Sequence, residues 1–247
     1  MGRPHHPSAD NSLRAAGTAL STSGSGLPST RPVSEPRVLY EDQELVVVDK
    51  PAGMATAAGG GIEDDASLHA WVSRHAEGRT FIVHRLDRGT SGVIVFAKTA
   101  DAHRRLSQAF ESREVGKRYL AVVDGHVARA SGEIAEPLRA FGSGRVGVDP
   151  NGREAVTGYR RLERFREADL LEVEPLTGRR HQIRVHCYAI GHPVLGDTRY
   201  GAIRPVGGAP RLMLHAAELR LPGGDGEPLV LRASTPSDFD AVLDGLR

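Results

Sequence analysis

The stretch FIVHRLDRGTSGVIVFAKTA, residues 81–100, places four charged or titratable side chains directly before an apolar run. His84, Arg85, Asp87 and Arg88 stand within five positions, and the run at 93–96 that follows is typical of a buried strand. A polar turn whose carboxylate accepts backbone N–H bonds is one explanation, and an active-site loop is another. These four residues alone do not decide between the two explanations, so the rest of the sequence is needed.

Bulk composition limits the class of protein. A chain of 247 residues fits one globular domain with a tail, or two small domains. Hydrophobic residues make up 39%, enough for a core, and apolar runs of membrane-spanning length are missing, so we expect a soluble protein. The one cysteine, Cys187, has no partner for an internal disulfide, which favours a reducing, cytoplasmic location.

The formal net charge is only +1, but TGRRHQIRVH at 177–186 holds three Arg and two His without an acid, which favours a local basic groove.

Composition also divides the chain at about residue 36. Residues 1–36 are rich in Ser, Gly, Pro and Thr without apolar periodicity, so they predict a disordered tail. Residues 37–247 carry the apolar patterns of one ordered domain. Strands are predicted at 38–40, 45–48, 93–96, 117–125, 156–165, 169–176, 212–221 and 228–233.

Helices are expected between these strands. Ser67 and Thr99 are placed to cap two of them, Gly191 to end a third, and Ser237 or Asp238 to cap a last helix at 236–246. Residues 140–155 are interpreted as a Gly-rich excursion. Because the strands follow one another with helices interspersed and without regular βαβ alternation, the pattern predicts an α+β domain around a mostly antiparallel or mixed sheet.

Three other chemistries are disfavoured by the residue patterns. The letters His-Arg-Leu-Asp also occur in kinase catalytic loops, but a Gly-rich phosphate loop with a downstream Lys is missing. A two-carboxylate hydrolase needs a second acid, and the nearest candidate, Asp197 in LGDTRYG, is interpreted as part of a tight structural loop. A metal site is not expected at His181, His186, His192 and His215. Their spacings of five and six residues do not place the side chains on one face of a helix, as metal ligation from a helix requires.

Five blocks in order resemble the RluA-type family of RNA pseudouridine synthases, over residues 37–239. The blocks are EDQELVVVDKPAGM (41–54), HRLDRGTSGVIVFAKT (84–99), KRYLAVVDG (117–125), PLTGRRHQIRVHCYAIGHPVLGDTRYG (175–201) and RLMLHAAELRL (211–221), with PSDF (236–239) closing the set. Gly89 and Arg180 depart from the family pattern at positions away from the chemistry. The polar N-terminal region is too short for the small RNA-binding domain that many relatives carry.

The resemblance implies one catalytic domain, 37–247, with its active site in a basic cleft. It implies that a uridine within ribosomal or transfer RNA is flipped out and isomerised, a reaction that needs no cofactor and no metal. Asp87 would act at the ribose as nucleophile or base, with Arg184 as its partner. Tyr119 would stack on the uracil or exchange a proton. Arg85 would fill the space that the base vacates.

Further substrate contacts are expected from His84, Arg179, His181 and Gln182. Two other hypotheses stay open: a non-catalytic RNA-binding module of the same fold, and a carboxylate glycoside or nucleoside hydrolase that releases free uracil. A binding module has no need of a carboxylate such as Asp87. We expect a cytoplasmic monomer that binds a structured RNA stem-loop, without a membrane or an obligatory protein partner.

Overall fold

The computed structural model describes residues 34–59, 61, 63–142, 144–201, 208–223 and 226–247. Apart from 34–36, the segment predicted to be a disordered tail lies outside the described residues. Within the described ranges, no helix has the length and apolar content that crossing a membrane requires.

Strands and helices are interspersed along the chain. The strands are β1 Arg37–Glu41, β2 Leu45–Lys50, β3 Phe81–Ile82, β4 Ser91–Ala97, β5 Gly116–Asp124, β6 Ser131–Ile134, β7 Leu138–Ala140, β8 Val146–Val148, β9 Thr157–Arg164, β10 Ala168–Pro175, β11 Leu214–Leu221 and β12 Leu229–Arg232. The helices are α1 Leu68–His75, α2 Ala100–Glu111, α3 Gln182–Ala189 and α4 Ser237–Leu246, with a 3-10 turn at Asp64–Ala66.

One large mixed sheet organises the fold. Its strand order is β1-β2-β4-β11-β5-β10-β9-β6, with β3 added to β4 and β12 added to β11. The pairing of β4 with β11 is parallel and the other pairings in this sheet that the structure describes are antiparallel. The expected α+β domain with a mostly antiparallel or mixed sheet is therefore confirmed.

The parallel pairing of β4 with β11 is the seam of the sheet. Ser91 lies opposite His215, and Gly92 lies opposite Ala216, which on its other side faces Tyr119 of β5. A Cβ on Gly92 would lie 2.2 Å from the carbonyl oxygen of Ala216, and Gly92 has φ +112°. Glycine is needed here because the two backbones approach so closely. The start of β4 and Tyr119 therefore lie on the two sides of Ala216, two strands apart in the sheet.

Two large hydrophobic cores meet at β11, which contributes buried residues to both. One packs β2 and β4 against α1 and α2, and all seven residues of β4 are buried. The other packs β5 and β10 against α3 and α4. Apolar burial on both sides holds the loop before β4 and the helix α3 in place.

Most local predictions agree with the structure. Ser67 caps α1 and Thr99 caps α2, each accepting a backbone N–H three residues later. The prediction for the cap of α4 is wrong, because Pro236 takes that position without a side-chain bond. Asp238 instead accepts two hydrogen bonds from Arg211, at 2.7 and 2.8 Å.

Candidate active site

The Asp87 loop connects β3 to β4 and is fastened to the turn after β2. The hydroxyl of Thr56 donates to the carbonyl of Leu86 at 2.9 Å and accepts from its N–H at 3.2 Å. The N–H of Gly53 donates to the carbonyl of Arg88 at 2.8 Å. Leu86 is buried, while the side chain of Asp87 keeps 25% of its surface exposed. The loop therefore presents Asp87 to solvent from a fixed backbone.

Lys50 lies fully buried under this loop. Its Nζ donates to the carbonyls of Pro51 and Met54, each at 2.8 Å, and of Arg88 at 3.3 Å. Three acceptors match the three N–H donors of an ammonium group. Burial lowers the pKa of Lys50 to about 7, although the charge of Asp87 favours the protonated form. Lys50 ties the turn after β2 to the Asp87 loop.

Arg184, in the first turn of α3, joins Asp87 to a second carboxylate. Its Nη1 donates to Oδ2 of Asp87 at 2.8 Å. Its Nε and Nη2 donate to Oδ2 and Oδ1 of Asp197 at 2.7 and 2.8 Å. Burial opposes the charged guanidinium, yet the hydrogen bonds to Asp197 and Asp87 raise the pKa of Arg184 above its ordinary value. One guanidinium therefore binds two carboxylates.

Gln182 anchors the start of α3 from the inside. Its amide nitrogen donates to the carbonyl of Val156 and the hydroxyl of Thr157, both at 2.9 Å. Its amide oxygen accepts from the hydroxyl of Thr177 at 2.6 Å and from the N–H of Arg179 at 2.9 Å. These four bonds use both donors and both acceptor positions of the amide. We therefore place Gln182 among the residues that hold α3, instead of among those predicted to touch RNA.

His181 faces Asp87 from the N-terminal end of α3. Its backbone is left-handed, with φ 56°, which is uncommon for a residue other than glycine. Nδ1 lies 2.8 Å from the hydroxyl of Tyr200, which accepts the N–H of Val146 at 3.0 Å, and Nε2 lies 3.8 Å from Oδ1 of Asp87. Because the Tyr200 oxygen already accepts, its hydrogen is available to Nδ1. This favours a neutral His181 with its proton on Nε2, facing Asp87.

Burial supports a neutral His181. It lowers the pKa of His181 below its ordinary value, against the opposing effect of the Asp87 charge. A strained backbone conformation at such a position is typical of functional sites.

Tyr119 enters the site from β5. Burial, and then the negative charge of Asp87, raise the pKa of Tyr119 above its ordinary value. The phenol therefore keeps its hydrogen at neutral pH. It is better suited to donate a hydrogen bond than to accept a proton as a base.

The remaining predicted contacts differ in their accessibility. Arg85 is exposed beside Asp87. Arg179 donates from Nε to the carbonyl of Glu154 at 2.8 Å, and burial, followed by the charges of Arg153 and Arg113, lowers its pKa. Arg179, Arg153 and Arg113 therefore form a local basic cluster.

His84 is partly buried and bonded to β4. Its Nε2 accepts the backbone N–H of Val95 at 3.2 Å, and its ring stacks on Phe110 with 4.6 Å between ring centroids. Burial lowers the pKa of His84 to about 3, so the ring is neutral. The predicted substrate contact by His84 would have to use the other edge of the ring.

Among the described residues, no group of three or more His, Cys, Asp or Glu side chains is arranged to hold a metal ion. His186 and His215 are instead buried and bonded to protein groups, His186 to Thr157 and His215 to Ser91.

Comparison with known proteins decides the family. A family model described as RNA pseudouridylate synthase matches residues 44–189, more than half of the chain. The chain belongs to this RNA pseudouridylate synthase family. The predicted RluA-type membership is confirmed by the relatives that follow.

Curated relatives and solved structures extend the match. Ribosomal large subunit pseudouridine synthase D of Vibrio parahaemolyticus is 37% identical over 229 residues, which covers 85% of this chain and 70% of that protein. The synthase D of Xanthomonas campestris pv. campestris is 39% identical over 230 residues, covering 85% and 69%. Human RNA pseudouridylate synthase domain containing 1 has a TM-score of 0.73 at 29% identity, covering 86% of this chain and 90% of that one.

Two site residues were missed by the sequence reasoning. Asp197 was interpreted as structural and Lys50 was not singled out, yet Asp197 binds Arg184 and Lys50 holds the Asp87 loop. The sequence did contain a signal for Asp197, because this acid in LGDTRYG stands shortly after the Arg-rich block. Lys50 gave a weaker signal, a lysine that ends an apolar strand.

Proposed function

We propose that this chain isomerises uridine to pseudouridine in RNA of the large ribosomal subunit, with Asp87 acting at the ribose. The observation that carries the proposal is the 2.8 Å contact between Nη1 of Arg184 and Oδ2 of Asp87, in a chain of this family. The curated relatives are named as synthases of the ribosomal large subunit, which supports ribosomal over transfer RNA as the substrate.

The reaction needs an ionised carboxylate beside the anomeric carbon. The bond from C1′ to N1 of uracil breaks, the base turns, and a bond from C1′ to C5 forms. The hydrogen on C5 leaves as a proton and N1 takes one up, so atoms and electrons balance without an oxidant or reductant. Asp87 serves either as nucleophile at C1′ or as base toward the ribose. Arg184 orients the carboxylate through the bond from its Nη1 to Oδ2 of Asp87.

Other groups around Asp87 have separate proposed roles. Tyr119 stacks on the uracil and donates from its phenol. His181 presents Nε2 to the same space. Arg85 fills the gap that the extruded base leaves, which offsets part of an unstacking cost of a few kcal/mol. Arg179 and its basic neighbours bind phosphates.

The proposed working unit is one copy of the chain. Residues 37–247 form the catalytic domain, with 1–36 as a tail. Asp87, Tyr119 and Arg184 all come from a single chain, which supports a monomer without an obligatory protein partner. A cytoplasmic location is supported by the lone, buried Cys187 and by the ribosomal large subunit in the relatives' names.

The test uses unmodified large-subunit RNA with tritium at C5 of its uridines. Wild-type protein should release tritium and form pseudouridine without free uracil. Asp87→Asn should bind the RNA with unchanged affinity and release no tritium, because the amide lacks the negative oxygen. Asp101→Asn, an exposed carboxylate on α2, is the control and should behave as wild type.

Each alternative predicts a different product. Free uracil in place of pseudouridine would support the hydrolase. Tight RNA binding without tritium release by the wild type would support the non-catalytic module. Normal turnover by Asp87→Asn would show that the carboxylate has been assigned the wrong role.

A further inference from the structure

The carboxylate of Asp197 is buried and fully bonded. Besides the two bonds from Arg184, its Oδ1 accepts the backbone N–H groups of Arg199 and Tyr200 at 2.9 and 3.0 Å. Its side chain is 0% exposed. Burial alone would raise the pKa of Asp197, but the hydrogen bonds and charge of Arg184 outweigh it and lower the pKa. Asp197 is therefore a fixed negative charge.

The turn that carries Asp197 is built tightly around it. Gly196 has φ +71°, and a Cβ there would lie 1.8 Å from the carbonyl oxygen of Arg211. A Cβ on Gly201 would lie 2.2 Å from the carbonyl oxygen of Asp197. The ring of Tyr200, from the same turn, lies 5.1 Å from the guanidinium carbon of Arg184. The turn thus holds both an acceptor and a flat surface against Arg184.

The contact between Arg184 and Asp87 uses one nitrogen and one oxygen. A guanidinium meets a carboxylate most strongly through two parallel N–H bonds. Asp197 already takes such a pair, through Nε and Nη2, so only Nη1 reaches Asp87. Oδ1 of Asp87 receives no hydrogen bond from the described residues, and Nε2 of His181, at 3.8 Å, is beyond bonding distance. Oδ1 of Asp87 is therefore the oxygen that remains available for the reaction.

We infer that Asp197 is a positioning residue for the isomerisation: by binding the Nε–Nη2 edge of Arg184, it limits Arg184 to a single contact with Asp87 and keeps Oδ1 of Asp87 available to the ribose. This rests on the proposed function. Without the Asp197 carboxylate, Arg184 is free to rotate and to bind both oxygens of Asp87. The nucleophile or base would then be misplaced and shielded.

The test compares Asp197→Asn with Asp169→Asn. Asp169 is also 0% exposed and bonded, to the N–H of Val127 at 2.9 Å and to His126 at 3.0 Å, but it lies at the far end of β10 from the residue that pairs with Tyr119. Both variants should lose similar thermal stability. Only Asp197→Asn should slow single-turnover pseudouridine formation, by roughly 100-fold, because a small misplacement near the reacting atoms has that effect. RNA affinity should stay within about threefold.

Two further variants keep the test decisive. Asp197→Ser retains an oxygen for the N–H groups of Arg199 and Tyr200 while removing the carboxylate, and it should be equally slow. In an Arg184→Lys background, Asp197→Asn should slow the reaction by less than about threefold, because its effect passes through Arg184. If either Asp197 variant folds and turns over within about threefold of wild type, or if Asp169→Asn is slowed as much, the inference is overturned. An inactive wild type would instead count against the proposed function.

Discussion

Nη1 of Arg184 donates to Oδ2 of Asp87 across 2.8 Å, although the two residues are 97 positions apart in the chain. Asp87 precedes β4, which belongs to one hydrophobic core, and Arg184 lies on α3, which packs into the other. The pair therefore bridges the two halves of the sheet. The candidate site exists only when both cores have assembled.

Replacing Arg184 by Lys tests this bridge. An ammonium is a compact charge and cannot serve Asp87 and Asp197 with one planar group, so we expect turnover to fall by about 100-fold or more while the fold and RNA binding remain. Single-turnover tritium release and circular dichroism measure the two properties. Arg247→Lys, which loses a two-point contact with Glu163 at the chain end, is the control. Near-normal turnover by Arg184→Lys would contradict the role of the pair.

Sequence patterns predicted the elements whose signals are local. The apolar run that became β4, the capped helix α2 and the alternating pair β9 and β10 all formed as expected. Strands β6, β7 and β8 were missed because they have only three or four residues and lie in a segment rich in glycine. In such strands, tertiary pairing decides the structure and periodicity does not show.

The functions of single polar residues were harder to predict than the site's location. The resemblance brought Asp87 and Arg184 together correctly in space, as the structure shows them in contact. Whether a polar side chain turns inward depends on partners far away in sequence. The amide nitrogen of Gln182, for example, donates its hydrogen bonds to Val156 and Thr157. Asp197 meets Arg184 only because the turn after α3 folds back.

Gly92→Ala tests the seam between β4 and β11. The added Cβ would lie 2.2 Å from the Ala216 carbonyl oxygen, and the positive φ adds backbone strain. We expect the free energy of unfolding to fall by about 3 kcal/mol or more. Gly245→Ala, where a Cβ meets open space, should change stability by less than about 1 kcal/mol. Urea unfolding compares the two, and equal stability would show that the seam can relax.

Lys50→Met tests the support under the Asp87 loop. Methionine fills a similar volume but leaves three backbone carbonyls without their donor, so we expect a loss of about 2–4 kcal/mol. Lys98→Met is the control, because Lys98 bonds Glu41 at a position 24% exposed and should cost about 1 kcal/mol or less. Urea unfolding measures both. If Lys50→Met were no worse than Lys98→Met, the buried bonds of Lys50 would not hold the loop.

The lowered pKa of His84 predicts how the free energy of unfolding changes in acid. Burial lowers the pKa of His84 from 6.5 to about 3, so the folded state resists the proton that the unfolded state takes up. The contribution of neutral His84 to the free energy of unfolding is therefore fully present above pH 6.5, and it is lost as the pH falls toward 3. His84→Gln keeps an oxygen for the N–H of Val95 but does not titrate. Between about pH 7 and pH 4, the wild type should therefore lose more stability than this variant.

Urea unfolding at several pH values measures this difference in slope. Other buried histidines, such as His186 and His215, also have a pKa lowered by burial, so part of the acid sensitivity should remain in His84→Gln. His103→Gln, which removes a histidine from α2, controls for a general effect of the substitution. Parallel curves for wild type and His84→Gln would mean that the folded protein accommodates the protonated ring, and that His84 is less tightly held against Val95 than the structure indicates.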